Sequence, residues 1–267
     1  MDPRIENAAP VPSSTLPGTP AAAWPRSPRS LGAGRGAAWW SEGWRVFRAA
    51  PLLWMGMIVA TALIFIALNF LPVIGQIAGM VLGPPLYGGL LLGCHALANG
   101  KPLTFAHLFA GFNDGRALPL MIVGILYGVA SLVVLMIVMF ISIGSFGFTG
   151  MMALLTGDPN ALAEAMAASM GIGTLAAMLV GIACGAALLM GWWFAPALVA
   201  INRADAISAI QTGFGAAARN FGAIVVAALL FVVFAIIASI PFGLGWLVLG
   251  PVAVGALYAS WREVFGE

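Results

Sequence analysis

Charged residues are absent from six stretches of the chain, near residues 52–70, 77–98, 119–143, 172–199, 221–240 and 244–261, and gather in the segments between them. Roughly 20 apolar helical residues cross a hydrocarbon core of about 30 Å, and each stretch is of that order. An open strand in lipid would leave backbone N–H and C=O groups without partners, so each stretch is predicted to be a helix. Residues 1 to about 36 hold seven prolines and no apolar periodicity. Such a composition buries too little surface to offset its ordering entropy, and a disordered tail is expected there. No apolar core follows the early Arg4, so the tail does not read as a cleavable signal peptide.

Composition sharpens this picture. Of 267 residues, 62% are hydrophobic and 7% charged, which excludes an ordinary soluble fold because too little polar surface remains to face water. Cys94 and Cys184 both lie in apolar stretches, so neither a disulfide framework nor a Cys-rich metal site is expected. The net charge of +2 hides a strong asymmetry. All eleven basic residues fall in the tail, before the first stretch, between the second and third, between the fourth and fifth, or after the sixth. With six spans every one of them lies on a single side. The positive-inside rule makes that side cytoplasmic, with both termini there, and puts the connection from about 144 to 171, bearing Asp158 and Glu164, on the other. The tail arginines are scattered among Pro and Ala, which reads as a topology signal and not as a nucleic-acid surface.

A Gly-aromatic pair recurs ahead of three spans, as Gly43-Trp44, Gly111-Phe112 and Gly213-Phe214. Aligned on it, Ala37, Trp40 and Trp44 match Phe105, Leu108 and Phe112, and then Ile207, Ile210 and Phe214. The i, i+3, i+7 spacing predicts three interfacial amphipathic helices on the cytoplasmic surface, with Thr104 and Asp205 as caps for the second and third. Each returning span carries a proline, in Gly83-Pro84-Pro85, Ala195-Pro196-Ala197 and Gly250-Pro251. The expected fold is therefore all-α and polytopic, with six transmembrane helices in residues 37–267. They form three parallel helical-hairpin repeats, each preceded by an interfacial helix. The middle unit holds an insertion of about 45 residues, within which Asp158-Pro159 should start a short helix bearing Leu162, Met166 and Met170 on one face. Small residues at Gly75, Gly79 and Gly83 in span two, and at Gly173, Ala177, Gly181 and Gly185 in span four, mark those spans as the tightly packed centre.

Chemistry-bearing motifs are scarce. No Asp, Glu, Lys or Arg lies inside a span, which argues against ion-coupled transport, proton relay and voltage sensing. A metal site would need Cys94, His95 and His107 to converge, with Asp114, at a spacing that matches no standard ligand pattern, so no metal or other cofactor is expected. Trp39, Trp40, Trp44, Trp192 and Trp193 read as membrane-interface anchors. Proline interruptions at corresponding places in repeats point to a ligand-lining or helix-kink role, so Gly83, Pro84, Pro196, Gly250 and Pro251 are the candidate site residues.

Gly43-Trp44-Arg45-Val46-Phe47 with Pro51, the Gly83-to-Leu97 stretch, and Trp192-Trp193-Phe194-Ala195-Pro196-Ala197-Leu198-Val199 resemble an uncharacterised family of proteobacterial integral membrane proteins. That family is similar in layout to the membrane domain of glycerophosphodiester phosphodiesterases. The resemblance implies six helices in a bacterial cytoplasmic (inner) membrane and no assigned activity; no phosphodiesterase catalytic domain is present. The expected function is non-enzymatic, an interaction with membrane lipids or with a membrane-protein partner or second copy, and not with nucleic acid. The alternative is a permease for a neutral or amphiphilic solute.

Overall fold

The computed structural model describes residues 27–168, 171 and 173–266; the tail before residue 27 and Met170 lie outside the described residues. All regular structure among them is helical: α1 (Arg35–Ala49), α2 (Pro51–Asn69), α3 (Ile74–Ala98), the 3-10 helix η1 (Phe105–Phe112), α4 (Ala117–Thr156), α5 (Pro159–Ala168), α6 (Thr174–Ala200), α7 (Ala206–Arg219), α8 (Phe221–Ser239) and α9 (Trp246–Phe265). Five helices are long and apolar enough to cross a membrane: α2, α3, α4 as far as Gly144, α6 and α8. The 20-residue α9 is less apolar, because Gly, Pro, Trp and Tyr interrupt it and its last turns carry Arg262 and Glu263.

Local chemistry sets several boundaries. Asp205 caps α7 by accepting from the Ser208 N–H at 3.0 Å. Asp158 caps α5 through the Asn160 N–H at 2.9 Å. His107 Nδ1 closes back on the Thr104 N–H at 3.1 Å, so η1 starts with a reciprocal cap. Helix α4 runs further than expected, to Thr156, with a break at Gly147, where φ is 64° and only glycine sits without strain. Part of the predicted 144–171 connection is therefore helical.

Three helices, α3, α6 and α9, contact one another at the centre, while α2, α4 and α8 lie outside them. Burial is concentrated in the second halves of α3 and α6, Pro84 to Ala96 and Gly191 to Ala200, and along nearly all of α9, Leu249 to Phe265. The predicted centre is thus corrected in its residues. Gly75, Gly79 and Gly83 face Leu68 and Phe65 of α2; in α6, Ala177 is buried and Gly181 faces Val138 of α4, but open space surrounds Gly185. The small residues that pack the centre come later in each helix, and the early stripe of α3 closes its hairpin with α2 instead.

The three short helices do not simply lie across the surface. Each runs antiparallel along one of the central three, α1 on α9, η1 on α3 and α7 on α6. A Cβ on Gly43 would strike the Val252 carbonyl, one on Gly111 the Pro85 carbonyl, and one on Gly213 would meet the Gly191 carbonyl at 3.3 Å. Their buried faces are Gly36, Trp39, Trp40, Gly43 and Phe47 in α1, Leu108 and Gly111 in η1, and Ala206, Ala209, Gly213, Ala216 and Ala217 in α7. Of the stripe expected to form the apolar face of an interfacial helix, Trp44, Phe105, Ile207 and Phe214 are exposed, while Trp40 and Leu108 are buried within the protein. Trp39 and Trp40 are buried within the protein, against the expectation of interface anchors. The indole N–H of Trp39 donates to Glu263 at 2.8 Å and that of Trp40 to the Ala227 carbonyl at 3.2 Å.

The basic segments meet at one end of the molecule. Arg35 pairs with Glu263 at 2.6 Å, the Arg29 N–H donates to the Val264 carbonyl at 2.8 Å, and Arg116 Nε donates to the Ala200 carbonyl at 2.8 Å. Arg203 reaches Asp114, and Trp261 donates to Asn202 at 3.0 Å. Residues 27–34, expected to belong to the disordered tail, are docked there. Buried Asn220 accepts from the Leu31 N–H at 2.8 Å and donates to the Arg29 carbonyl at 2.9 Å, so backbone pairing supplies what the composition lacks.

Candidate functional site

Five cavities among the described residues bear on the site. The first lies in α3, whose Pro84 and Pro85 lack N–H groups and so leave the Met80 and Val81 carbonyls without helical partners. Helix α4 approaches that defect with glycines: a Cβ on Gly124 would overlap the Met80 carbonyl, and one on Gly128 the Met80 sulfur. Beside it a cavity of about 410 Å³ is lined by Thr61, Phe65, Gly83, Pro84, Tyr127 and Trp192 among others.

Two larger grooves flank α1 and α7. The α1–α8–α9 groove is about 570 Å³ and is lined by Trp40, Ser41, Trp44, Val248, Leu249 and Val252 together with α8 residues such as Phe234. The α4–α6–α7 groove is about 490 Å³, with Ile210, Gln211, Phe214, Ala187, Leu188 and Gly191 on it. On two walls of each groove the lining residues correspond, while the third wall, from α8 in one and α4 in the other, does not. Trp40, Ser41 and Trp44 stand three and two before and one after Gly43, as Ile210, Gln211 and Phe214 do around Gly213. Val248, Leu249 and Val252 are placed about the carbonyl that Gly43 faces as Ala187, Leu188 and Gly191 are about the one that Gly213 faces. Both grooves open sideways onto exposed apolar helix surface and are almost wholly apolar, with Ser41 in one and Gln211 and Tyr127 in the other as polar members, so they can hold a hydrocarbon chain by burial and dispersion.

The polar chemistry is at the basic end. A cavity of about 250 Å³ between α1, α3 and α9 is lined by Glu42, Arg45, Leu97, Tyr258 and Arg262. Glu42 pairs with Arg45, and Arg262 lies 3.7 Å from the same carboxylate and 6.0 Å from the Tyr258 ring centroid. Behind it the Tyr258 hydroxyl is 3.2 Å from His95 Nδ1 and the Trp193 indole N–H donates to Ser260 at 3.1 Å. Leu91, Cys94, Leu198, Val199, Ser260 and Trp261 are fully buried around these, so the axis is solid at this level. The fifth cavity, about 220 Å³, lies between Trp39, Tyr87, Trp193, Phe231 and Leu257. On α7, hydrogen bonds from the Ser208 hydroxyl and N–H hold the exposed Asp205 carboxyl below its ordinary range.

Of the predicted site residues, Gly83 and Pro84 line the first cavity. Pro196 and Pro251 are buried in helix packing and Gly250 sits against Ile58; these three line none of the five cavities. The structure does not gather all five residues into one site. His95 and His107 have separate partners, Tyr258 and Thr104, and no group of three His, Cys, Asp or Glu side chains converges among the described residues. The arginine cavity had no spacing signature, since Arg262 lies more than 200 positions from Glu42 and Arg45; the grooves had one, the aligned stripe itself.

Five helices long and apolar enough to cross a membrane, with many large apolar side chains exposed along them, define a multi-pass helical membrane protein. Comparison with protein-family models, curated proteins and solved structures finds no match for the chain.

Proposed function

We propose that the protein is a non-enzymatic, lipid-binding component of a bacterial inner membrane, built from three parallel hairpin repeats with six crossings and both termini cytoplasmic. The observation that carries the lipid reading is the pair of apolar grooves, whose α1–α9 and α7–α6 walls are built from equivalent positions. Two such grooves, almost wholly apolar and bordered by exposed apolar helix surface, fit acyl chains better than they fit a polar substrate.

Several observations support the architecture. Each short helix packs on the returning helix of the preceding unit, with α1 on α9 completing the circle, as a three-unit repeat about an axis along the membrane normal requires. The pairing of Arg35 with Glu263 supports an even number of crossings between them. Five are accounted for by the most apolar helices, and α9 supplies the sixth. The proteobacterial family that the Gly-aromatic and Trp-Pro motifs resemble is part of the same proposal. The permease alternative draws on the Pro84 cavity and on the smaller one between Tyr87, Trp193 and Leu257 of the central helices, and the buried packing around Leu91, Leu198 and Trp261 weighs against a path continuing along the axis.

Native mass spectrometry of the protein released from lipid nanodiscs tests the lipid reading. Val248→Trp and Ala187→Trp fill equivalent positions of the two grooves, and each is expected to remove about one retained lipid, with the double variant removing both. Equal lipid retention by wild type and double variant, with unchanged melting temperature, would overturn it.

A further inference from the structure

The cavity between α1, α3 and α9 is lined by two arginines from elements that only the fold brings together. Arg45 is engaged by Glu42 three residues earlier on the same helix. Arg262 is different. It approaches Glu42 only to 3.7 Å, beyond hydrogen-bond distance, and its guanidinium lies beside the Tyr258 ring with its side chain 36% exposed. Five N–H donors in a fixed fork, facing a cavity of about 250 Å³, are thus held in place by an ion pair and a ring but not consumed by them.

From this geometry we infer that the cavity is a phosphate-binding site, with Arg262 as the bidentate ligand, Arg45 as the second cation, and Glu42 as an internal carboxylate that occupies Arg45 until an anion displaces it. Guanidinium forks match phosphate oxygens in planar, charge-assisted pairs. Two cations against one carboxylate leave one unit of positive charge for the ligand to neutralise. The aromatic Tyr258 face and the aliphatic Leu97 and Ala98 give the same cavity an apolar floor, which suits a phosphate carried on an organic group. At the basic end of a membrane protein that chemistry is offered by an anionic phospholipid headgroup and by free phosphate. The site lies on the opposite face of α1 from the Trp40–Trp44 groove and stands whether or not the grooves hold lipid.

Titration of the purified full chain in detergent, with short-chain phosphatidylglycerol and separately with inorganic phosphate, tests the assignment. Arg262→Gln is expected to weaken binding of the recognised probe about tenfold or more, the loss of a charge-assisted pair. Glu42→Gln is expected to strengthen it about threefold or more, because the competing carboxylate is gone. Binding of phosphatidylglycerol alone assigns a lipid headgroup, and binding of inorganic phosphate with similar affinity assigns a free phosphate; either supports the site. A merely structural cluster predicts that both substitutions act in the same direction through stability, so weakening by Glu42→Gln would overturn the proposal. So would equal binding of both probes by wild type and Arg262→Gln, or no binding of either.

Discussion

Gly43 and Gly255 sit against each other where α1 crosses α9. A Cβ on Gly255 would lie 2.8 Å from the Gly43 Cα, and one on Gly43 would overlap the Val252 carbonyl. Because the obstructing atoms are backbone, neither helix can yield by turning a side chain. Gly43→Ala should therefore lower stability by about 1–3 kcal/mol, the usual cost of overpacking. Gly215 of α7 makes the control, since nothing lies within 4 Å of its Cβ position, and Gly215→Ala should be neutral or stabilise by up to about 1 kcal/mol. Thermal unfolding in detergent compares the two, and an equal response would show that the α1–α9 contact is not tight in solution. At this scale, legibility followed distance along the chain. Asp205 and Asp158 were readable as caps because the N–H groups they accept from lie two or three residues on. Glu42 was not readable as a partner of Arg262, nor Asn220 as the anchor of residues 29–31, because nothing local distinguishes a polar residue that meets one some 190 or 220 positions away.

Element existence and approximate ends followed from hydropathy, but the faces did not. Periodicity assigns the apolar stripe to the interior when water lies outside, and here both sides are apolar. Size then decides: α7 buries Ala209, Gly213, Ala216 and Ala217 and turns Ile207 and Phe214 outward, because small residues let backbones approach closely. The same rule explains why α3 and α4 meet where they do. Pro84 frees the Met80 carbonyl, and Gly124 is the residue whose missing side chain admits it. Gly124→Ala should cost about 1–3 kcal/mol, whereas Gly144→Ala on the same helix, with open space around it, should cost nothing measurable. Chemical denaturation followed by tryptophan fluorescence separates them. Equal midpoints would mean that α4 stands away from the proline defect.

On the scale of the whole molecule, charge placement and contact geometry address the same question independently. The sequence put every basic residue on one side if there are six crossings; the fold draws the start of α1, the α3–α4 and α6–α7 connections and the end of α9 together at one end, through Arg35–Glu263, Arg116–Ala200 and Trp261–Asn202. Neither argument uses the hydropathy of α9, which alone falls short. A helix at the centre of the bundle, enclosed by α1, α3 and α6, has less need of an apolar outer face than the peripheral α2, α4 and α8. On the proposed six-crossing reading its lower hydropathy reflects that burial. Single-cysteine variants in a background with Cys94 and Cys184 replaced decide the point. Lys101→Cys, Arg203→Cys and Glu263→Cys should react with an impermeant maleimide only when it is offered from the cytoplasmic face, and Asn160→Cys only from the opposite one. Labelling of position 263 from the same side as position 160 would leave five crossings, and would require the Arg35–Glu263 pair, and with it the closed circle of three units, to be abandoned.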